Sequence, residues 1–276
     1  MILQMADLTD NLSEWETIKF AASKSELKPT LNYRKFDAEK LEIILMGDMH
    51  MGSKYYDEDM HKEVIDYCLK KKTQIILMGD QIEAATRDSV GAGVYEQSEI
   101  IDKQLEHFNH LMKPLANEGL ILGMHAGNHE MRLYKSSGLD ITKFMAKQLK
   151  VKYFSWGKLH YFVVGKQGYK LYTTHGASGT RLAWTKIKSV LDLSNLADAE
   201  IYAMGHLHQL SHHIRNFYSE DLKNKTVIEE QKHFILTGSY LNHWGSYAHM
   251  KNYEPMRKGS PKIKLGGNEH SIRVSI

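Results

Sequence analysis

Short apolar runs alternate with longer amphipathic segments along most of the chain. The runs LEIILMG (41–47), TQIILMG (73–79) and LILGMHAG (120–127) are continuous, which predicts parallel strands buried on both faces. Segment 57–72 begins with acidic residues and ends with lysines, as the helix dipole favours, and segment 96–119 stops near a glycine; both are predicted as helices. This order predicts an α/β domain whose functional site lies at the carboxyl ends of its strands.

The second half of the chain has denser strand signals, with helices predicted near 139–150 and 180–193. Its candidate strands are KLHYFVVG, YKLYTTHG, AEIYAMGH, SHHIRNFY, KTVIEEQKHFILTGS and the C-terminal SIRVSI. Residues 1–40 show no strong strand signal, but apolar residues at helical spacing predict a helix near 11–24. The predicted organisation is an N-terminal helical extension (1–40) followed by one domain (41–276).

The hexapeptide IILMGD occurs at 43–48 and again at 75–80. The segments that follow the two copies, MHMGSKYYDED and QIEAATRDSVG, share no pattern, whereas a duplicated unit would look alike over a whole supersecondary element. We therefore interpret the likeness as two strands that each end in an aspartate at the same place.

Five predicted strands are followed at once by side chains that bind metals or transfer protons. These residues are Asp48 and His50, then Asp80, then Asn128, His129 and Glu130, then His175, and then His206 and His208. A glycine adjoins the polar residues each time, where it permits a sharp turn or a close approach by substrate. In Asp-x-His and His-x-His, the two outer side chains point the same way if the backbone is extended.

Carboxylate and imidazole groups are ligands for borderline divalent metals such as Mn, Fe, Co, Ni and Zn. Seven candidate ligands are too many for one ion, and they suit two ions about 3.5–4 Å apart that share a bridging carboxylate. A water held between two such cations becomes hydroxide near neutral pH and attacks a phosphorus centre in line.

This ordered set resembles the calcineurin-like metallophosphoesterase superfamily over residues 41–240. The resemblance implies a four-layer α/β/β/α sandwich with two metals at the strand ends. It also implies that His129 is not a ligand but faces the phosphoryl group, as general acid or transition-state stabiliser. One implied metal site is Asp48, His50, Asp80 and His208, and the other is Asp80, Asn128, His175 and His206.

The chain departs from the family pattern at Glu83, where an aspartate often stands three residues after the Gly-Asp pair. Because that position is usually not a direct ligand, the change concerns the geometry around the ligands rather than metal binding. Arg132, in GNHEMR, and Arg181, in HGASGTR, are predicted either to contact phosphate or to form structural ion pairs. The predicted cofactor is a pair of divalent ions, Mn²⁺ first, with Fe, Zn, Ni or Co as alternatives.

The sequence indicates the substrate less clearly than it indicates the metal site. The first motif, DMHMGS, resembles that of SbcD-type exonucleases and of the proofreading small subunit of archaeal D-family polymerases. Aromatic and basic residues, Trp244 among them, cluster at about 240–265, where a loop would stack bases and hold phosphates. The alternative is a covering loop that packs its aromatic side chains on the sheet.

These observations favour a phosphodiesterase acting on DNA or RNA, that is, a nuclease. The alternatives are a phosphodiesterase or phosphomonoesterase acting on small molecules such as nucleotides or cyclic nucleotides, and a non-catalytic subunit. A full set of ligand positions argues against the last alternative.

Composition sets further bounds. The net charge of +3 does not by itself indicate a nucleic-acid binder. The single cysteine, Cys68, is predicted to be a buried apolar residue rather than a reactive thiol. No apolar run reaches bilayer length and the first residues lack the basic region of a signal peptide, so we predict a cytoplasmic protein without membrane contact. A homo-oligomer is compatible with the sequence.

Overall fold

The computed structural model describes residues 30–87, 89 and 93–276. The helix predicted near 11–24 lies outside the described residues. The unit from Asn32 to Ile276 is a mixed α/β structure in which strands and helices alternate first and strands dominate later. Its strands form two six-stranded sheets.

The strands are β1 Asn32–Phe36, β2 Lys40–Met46, β3 Gln74–Leu77, β4 Ile121–His125, β5 Tyr153–Ser155, β6 Gly157–Val164, β7 Gln167–Thr174, β8 Ile201–Met204, β9 Leu210–Asp221, β10 Thr226–Thr237, β11 Lys262–Gly266 and β12 Ile272–Ser275. The α-helices in the described part of the chain are α1 Glu58–Lys71, α2 Ile101–Asn117, α3 Glu130–Ser137, α4 Ile141–Leu149, α5 Ala183–Leu191 and α6 Tyr247–Met250. Short 3-10 helices span Gly93–Glu96 and Asp192–Asn195.

The first sheet has the order β1-β6-β7-β8-β10-β9, and the second has the order β12-β11-β2-β3-β4-β5. Strands β2 to β5 are parallel to one another, and so are β7, β8 and β10. Parallel strands present their carboxyl ends at one edge of a sheet, which is where the loops after β2, β3 and β4 meet.

Strand β2 shows why the central runs are continuously apolar. Leu41, Ile43 and Leu45 belong to an apolar cluster that joins the two sheets. Ile44 and Met46, on the other face, belong to a cluster that joins the second sheet to α1, α2 and α4. A strand covered on both faces has no position for an exposed polar residue, so its sequence does not alternate.

A third apolar cluster lies on the other face of the first sheet. It joins Tyr202 and Phe234, on β8 and β10, to Val190 on α5. Cys68 is fully buried in the cluster beneath α1, which confirms the prediction of an apolar role. Burial raises the pKa of its thiol to about 12. In the described part of the chain, no helix has the length and apolar character needed to span a bilayer.

Three strands, β1, β5 and β11, were not predicted from the sequence. Strand β1 lies within the segment 1–40, for which no strand signal was found, and it pairs in parallel with β6. Strand β11 lies within the predicted loop at 240–265 and places Lys262 and Lys264 in the second sheet, paired with β2. Strands β1 and β11 alternate more and less buried residues over only five positions, and β5 has three residues, so each pattern is too short to separate from a loop.

Candidate metal centre

The structure brings the strand-end residues into two donor groups that share Asp80. Within each group, one ligand atom from every residue lies within 4.8 Å of the corresponding atoms of the others. The groups are Asp48, His50, Asp80 and His208, and Asp80, His175 and His206. A third set of donor atoms at the same spacing, from His50, Glu83 and His129, shares His50 with the first group. Asn128 joins the second group through its Oδ1 atom, 3.0 Å from Nε2 of His175.

The backbone at the donor residues is strained. Asp48, His50, Asp80, His206 and His208 all have positive φ angles, between 49° and 66°. This left-handed region is unfavourable for residues other than glycine, and such strain concentrates at functional sites. The Asp-x-His and His-x-His loops are therefore not extended. The expectation that an extended backbone brings their side chains together was wrong. Their outer residues converge because both take the left-handed turn.

Glycines next to the donor residues make room for neighbouring ligands rather than for a turn alone. A Cβ atom on Gly127 would lie 2.1 Å from both the backbone nitrogen and Oδ1 of Asp80. A Cβ atom on Gly79 would lie 2.4 Å from Nδ1 of His175. These glycines therefore allow Asp80 and His175 to lie close to the neighbouring backbone.

The first donor group is held by carboxylates on both sides. Nε2 of His208 lies 3.2 Å from Oδ1 of Asp48, and Nε2 of His50 lies 3.8 Å from Oδ2 of Asp80. The two Nε2 atoms of His50 and His208 face each other at 3.0 Å. Nδ1 of His50 donates to Glu83, 3.1 Å away, which leaves the lone pair on Nε2 directed at the centre.

The second donor group has histidines oriented in the same manner. Nδ1 of His175 donates to the carbonyl of Met78 at 2.9 Å, so Nε2 faces Asn128 and Asp80. Nε2 of His206 donates to the carbonyl of Ser178 at 2.9 Å, leaving Nδ1 as its lone pair. Metal-binding histidines typically donate their other ring N–H to a carbonyl or carboxylate.

The electrostatics of the centre favour a cation. Burial alone would raise the pKa of the Asp80 carboxyl, but nearby His175 and His129 hold it well below its usual range. Burial would lower the pKa of His175, yet the charge of Asp80 raises it to about 10. A histidine that holds its proton this tightly marks a strongly negative site. The buried carboxylates, imidazoles and amide oxygen therefore fit a pair of divalent cations.

His129 lies beside the donor groups, within a network centred on Glu83. Its backbone N–H donates to Oδ1 of Asp80 at 2.9 Å, and its ring Nδ1 donates to the carbonyl of Glu83 at 3.0 Å. Arg132 donates to Nε2 of His129 at 2.9 Å and to the Glu83 carboxylate at 3.2 Å. Glu83 thus contacts His50, His129 and Arg132 together.

Glu130 has a structural role that its position in GNHE did not reveal. Its carboxylate is buried and accepts from the backbone N–H groups of Gln81 (2.6 Å), Ile82 (3.1 Å) and Gly127 (3.0 Å). It lies outside both donor groups. Burial and the charge of Asp80 raise its pKa to about 7. Glu130 therefore fastens the loop after β3 to the loop after β4.

A cavity of about 430 Å³ opens over the histidines of the centre. Arg132 and Arg181 both line it, as do Tyr247 and Tyr253 from the loop after β10. The Arg181 guanidinium lies over the Tyr253 ring, 5.2 Å from its centroid. Trp244 is not among the lining residues; it is 82% exposed and stacks on His249 with ring centroids 4.2 Å apart.

No protein-family model matches the chain, and no curated protein matches it. Among solved structures, one similar chain is a conserved uncharacterized protein from Streptococcus pneumoniae, described as a predicted phosphoesterase. It has 14% sequence identity and a TM-score of 0.36, with 86% of this chain and 97% of that chain covered. A likeness this distant establishes no family, so the geometry of the described residues carries the functional argument.

Proposed function

We propose that this protein is a metal-dependent phosphoesterase that hydrolyses phosphodiester bonds of nucleic acid. The observation that carries the proposal is the pair of donor groups sharing Asp80, with His129 beside them and two arginines in the cavity over them. Shared carboxylates of this kind suit two cations that bind a phosphate ester between them. The three apolar clusters support a four-layer α/β/β/α arrangement of the fold.

Two divalent ions, Mn²⁺ first among the candidates, would occupy the centre. Bound there, they would polarise the phosphoryl oxygens and supply an acidified water as nucleophile. We assign Asp48, His50, Asp80 and His208 to one ion and Asp80, Asn128, His175 and His206 to the other.

His129 is the residue placed to move a proton. Its Nδ1 proton is held by the Glu83 carbonyl, so exchange with a leaving oxygen takes place at Nε2. Burial would lower the pKa of His129, but Asp80 and Glu83 raise it above the usual value. Because Nε2 accepts from Arg132, the ring becomes the protonated acid only when Arg132 turns from Nε2 to the phosphate. Arg132 donates to Nε2 of His129 and lines the cavity, so it is placed to bind the phosphate.

The cavity supports an organic phosphate ester as substrate. Its volume of about 430 Å³ lies within the range of pockets that bind small organic ligands, and one nucleotide unit is of that order. Tyrosine rings and arginine side chains line it together, which suits a base and its phosphates. The same volume favours the second candidate, a phosphoesterase that acts on free nucleotides or cyclic nucleotides.

The test is a side-by-side assay of purified protein loaded with Mn²⁺. Its substrates are a labelled single strand, a labelled duplex, bis-p-nitrophenyl phosphate and p-nitrophenyl phosphate. We expect cleavage of a labelled nucleic acid. His129→Ala should lower turnover by about 10²-fold or more while the metal content per chain stays unchanged. Asp80→Asn should reduce occupancy of both metal sites together, because it contributes to each.

Three results would count against the proposal in different ways. Turnover of only the small esters would favour the second candidate. Loss of metal from His129→Ala would contradict the division between ligands and proton donor. Absence of hydrolysis of every ester by the loaded protein would remove the phosphoesterase function itself.

A further inference from the structure

A second cavity, of about 850 Å³, lies beside the segment that carries His175. Thr174, Gly176 and Ala177 line it, and these residues flank His175 in sequence. The first cavity is lined by Ser178 to Arg181, the continuation of the same segment. The segment after β7 therefore separates two cavities, and it also carries the Ser178 carbonyl that orients His206.

Aromatic and polar side chains both line the second cavity. Trp156 and Tyr172 line one part of it, with Met204 between strands β7 and β10. Asn195, from the 3-10 helix after α5, supplies an amide group. Lys188 is paired with Asp192, which also lines the cavity, and the Ser189 hydroxyl donates to the carbonyl of Thr185. A nucleobase has the same two features, an aromatic face for stacking and an edge of donors and acceptors.

Trp156 is the one tryptophan among the residues that line the two cavities. All three tryptophans in the described part of the chain are exposed: Trp156 by 48%, Trp184 by 69% and Trp244 by 82%. Tryptophan is buried on average in folded proteins, so an exposed ring beside a cavity is informative. Trp184 is the second residue of α5 and lines neither cavity, whereas Lys186 and Lys188 of the same helix line the first and the second cavity. Aromatic rings interleaved with basic side chains are typical of single-strand binding surfaces.

The presence of two cavities also bears on the substrate. A phosphodiester carries organic groups on two sides of the phosphorus, whereas a phosphomonoester carries one. A single strand can direct successive bases into separate cavities, but a duplex keeps its bases paired and stacked.

We propose that the cavity beside Trp156 is a nucleobase subsite for a single-stranded polynucleotide whose scissile phosphate lies at the metal centre. This inference rests on the proposed function. It assigns Trp156 the stacking contact and Asn195 the contact with the base edge. The first cavity then holds the nucleotide on the other side of the scissile phosphate.

The test measures binding without turnover. The full-length chain, in chelator, is titrated into a fluorescein-labelled 12-nucleotide single strand and into an abasic chain of equal length and charge, with anisotropy as readout. We expect the wild type to bind the base-containing strand more tightly than the abasic chain. Trp156→Ala should weaken binding of the base-containing strand about tenfold, since one stacked base contributes that order of affinity, and Trp156→Phe should restore most of it.

Two further variants keep the result interpretable. Asn195→Ala should weaken binding of the base-containing strand and leave binding of the abasic chain unchanged. Tyr218→Ala is the matched control, an exposed aromatic residue on β9 that lines neither cavity, and it should bind as the wild type does. Circular dichroism of each variant checks its fold.

Equal binding of the strand and the abasic chain by the wild type would overturn the subsite, as would wild-type affinity in both Trp156→Ala and Asn195→Ala. A parallel assay of the Mn²⁺-loaded wild type on bis-p-nitrophenyl phosphate separates the two ideas. Hydrolysis of that ester together with base-independent binding removes the subsite alone. No hydrolysis of any ester removes the proposed function, whatever the binding data show.

Discussion

A buried chain of hydrogen bonds between the two sheets fixes the protonation of two histidines. Lys152 donates to Oδ1 of Asn32 at 2.7 Å, so the Asn32 amide donates to Nδ1 of His160 at 2.9 Å. Nε2 of His160 then carries its proton and donates to the Thr173 hydroxyl at 2.7 Å. That hydroxyl is left to donate to Nε2 of His125 at 2.6 Å. Both rings are therefore neutral, each with one defined tautomer.

His125 completes the chain by donating from Nδ1 to the carbonyl of Ser155 at 3.2 Å. It is fully buried, against the ring of Phe154. Burial lowers the pKa of His125 to about 3, and burial also lowers the pKa of His160 well below its usual value. A proton added to Nε2 of His125 or to Nδ1 of His160 would displace the hydrogen bond that this nitrogen accepts, from Thr173 or from Asn32.

These depressed pKa values make stability depend on pH in a defined direction. In the unfolded chain a histidine binds a proton below its ordinary pKa of about 6.5. In the folded state, His125 does not bind this proton until the pH approaches about 3. The contribution of neutral His125 to stability is therefore fully present above pH 6.5, and it is lost as the pH falls from there toward 3. Between pH 7 and pH 4.5 the loss is about 2.5 kcal/mol for this one histidine.

The perturbation is His125→Gln, which keeps a hydrogen-bonding side chain but removes the titration. The free energy of unfolding is measured with urea at several pH values from 7 to 4.5, with chelator present so that acid release of metal does not contribute. The variant should be less stable than the wild type at pH 7. Its stability should fall by about 2.5 kcal/mol less over this range, and other titrating groups cancel in the comparison.

His110→Gln is the matched control, the loss of one exposed histidine on α2, and it should follow the wild-type curve. Parallel curves for His125→Gln and the wild type would refute the reasoning, because they would show that His125 accepts a proton in the folded protein as readily as in the unfolded one. The reasoning would also be refuted if His125→Gln were less stable at pH 7 but its free energy of unfolding changed with pH as the wild type's does.

Two further predictions concern the centre. Glu83→Gln should lower turnover of bis-p-nitrophenyl phosphate about 10–100-fold with metal content kept, because the carboxylate contacts and orients both His50 and His129. Glu96→Gln, which also lines the first cavity, is its control, and a fall in metal content with unchanged turnover per metal would contradict the role. Gly127→Ala should lower the free energy of unfolding by at least about 2 kcal/mol, since its Cβ would overlap Asp80. A Cβ atom on Gly179 would meet no atom within 4 Å, so Gly179→Ala is the matched control. Equal urea midpoints for the two variants would show that the loop around Gly127 adjusts at no cost in stability.

The sequence predicted the location of the centre because the chemistry follows the strand ends. Each donor residue stands one to four positions after an apolar run, and parallel strands bring such positions to one edge. The main helices were also predictable, since α1, α2, α4 and α5 lie within the predicted segments. What the sequence lacked was a signal for Glu130, whose carboxylate satisfies three backbone N–H groups that only the folded loops bring together.

The loop after β10 shows where residue type stops being informative. Tyr240 is fully buried and bonds to Ser260, Tyr247 and Tyr253 line the first cavity, and Trp244 is exposed. All four are aromatic and lie within fourteen positions of one another in sequence. With only the short helix α6 in this region, no periodicity relates a residue's position to the direction it faces, so tertiary contacts alone select which rings reach the cavity.

The repeated hexapeptide is explained by the geometry of adjacent strands. Strands β2 and β3 are parallel neighbours, paired Met46 to Leu77, and their Gly-Asp turns run side by side. Asp48 donates its backbone N–H to the Gly79 carbonyl at 3.0 Å, and His50 donates to the Asp80 carbonyl at 3.0 Å. Both aspartates take the left-handed conformation, with φ of 53° and 49°.

Such a conformation costs roughly 1–3 kcal/mol for each non-glycine residue. Over the five left-handed donor residues the sum is of the order of 5–15 kcal/mol, comparable with the whole stability of a domain. The cross-bonds between the loops hold these residues in place, because neither aspartate can relax without breaking a bond to its neighbour. Identical turns satisfy this requirement with identical residues. The repeated hexapeptide therefore follows from two adjacent strands that need the same strained turn. Duplication of a larger unit is not required to explain it.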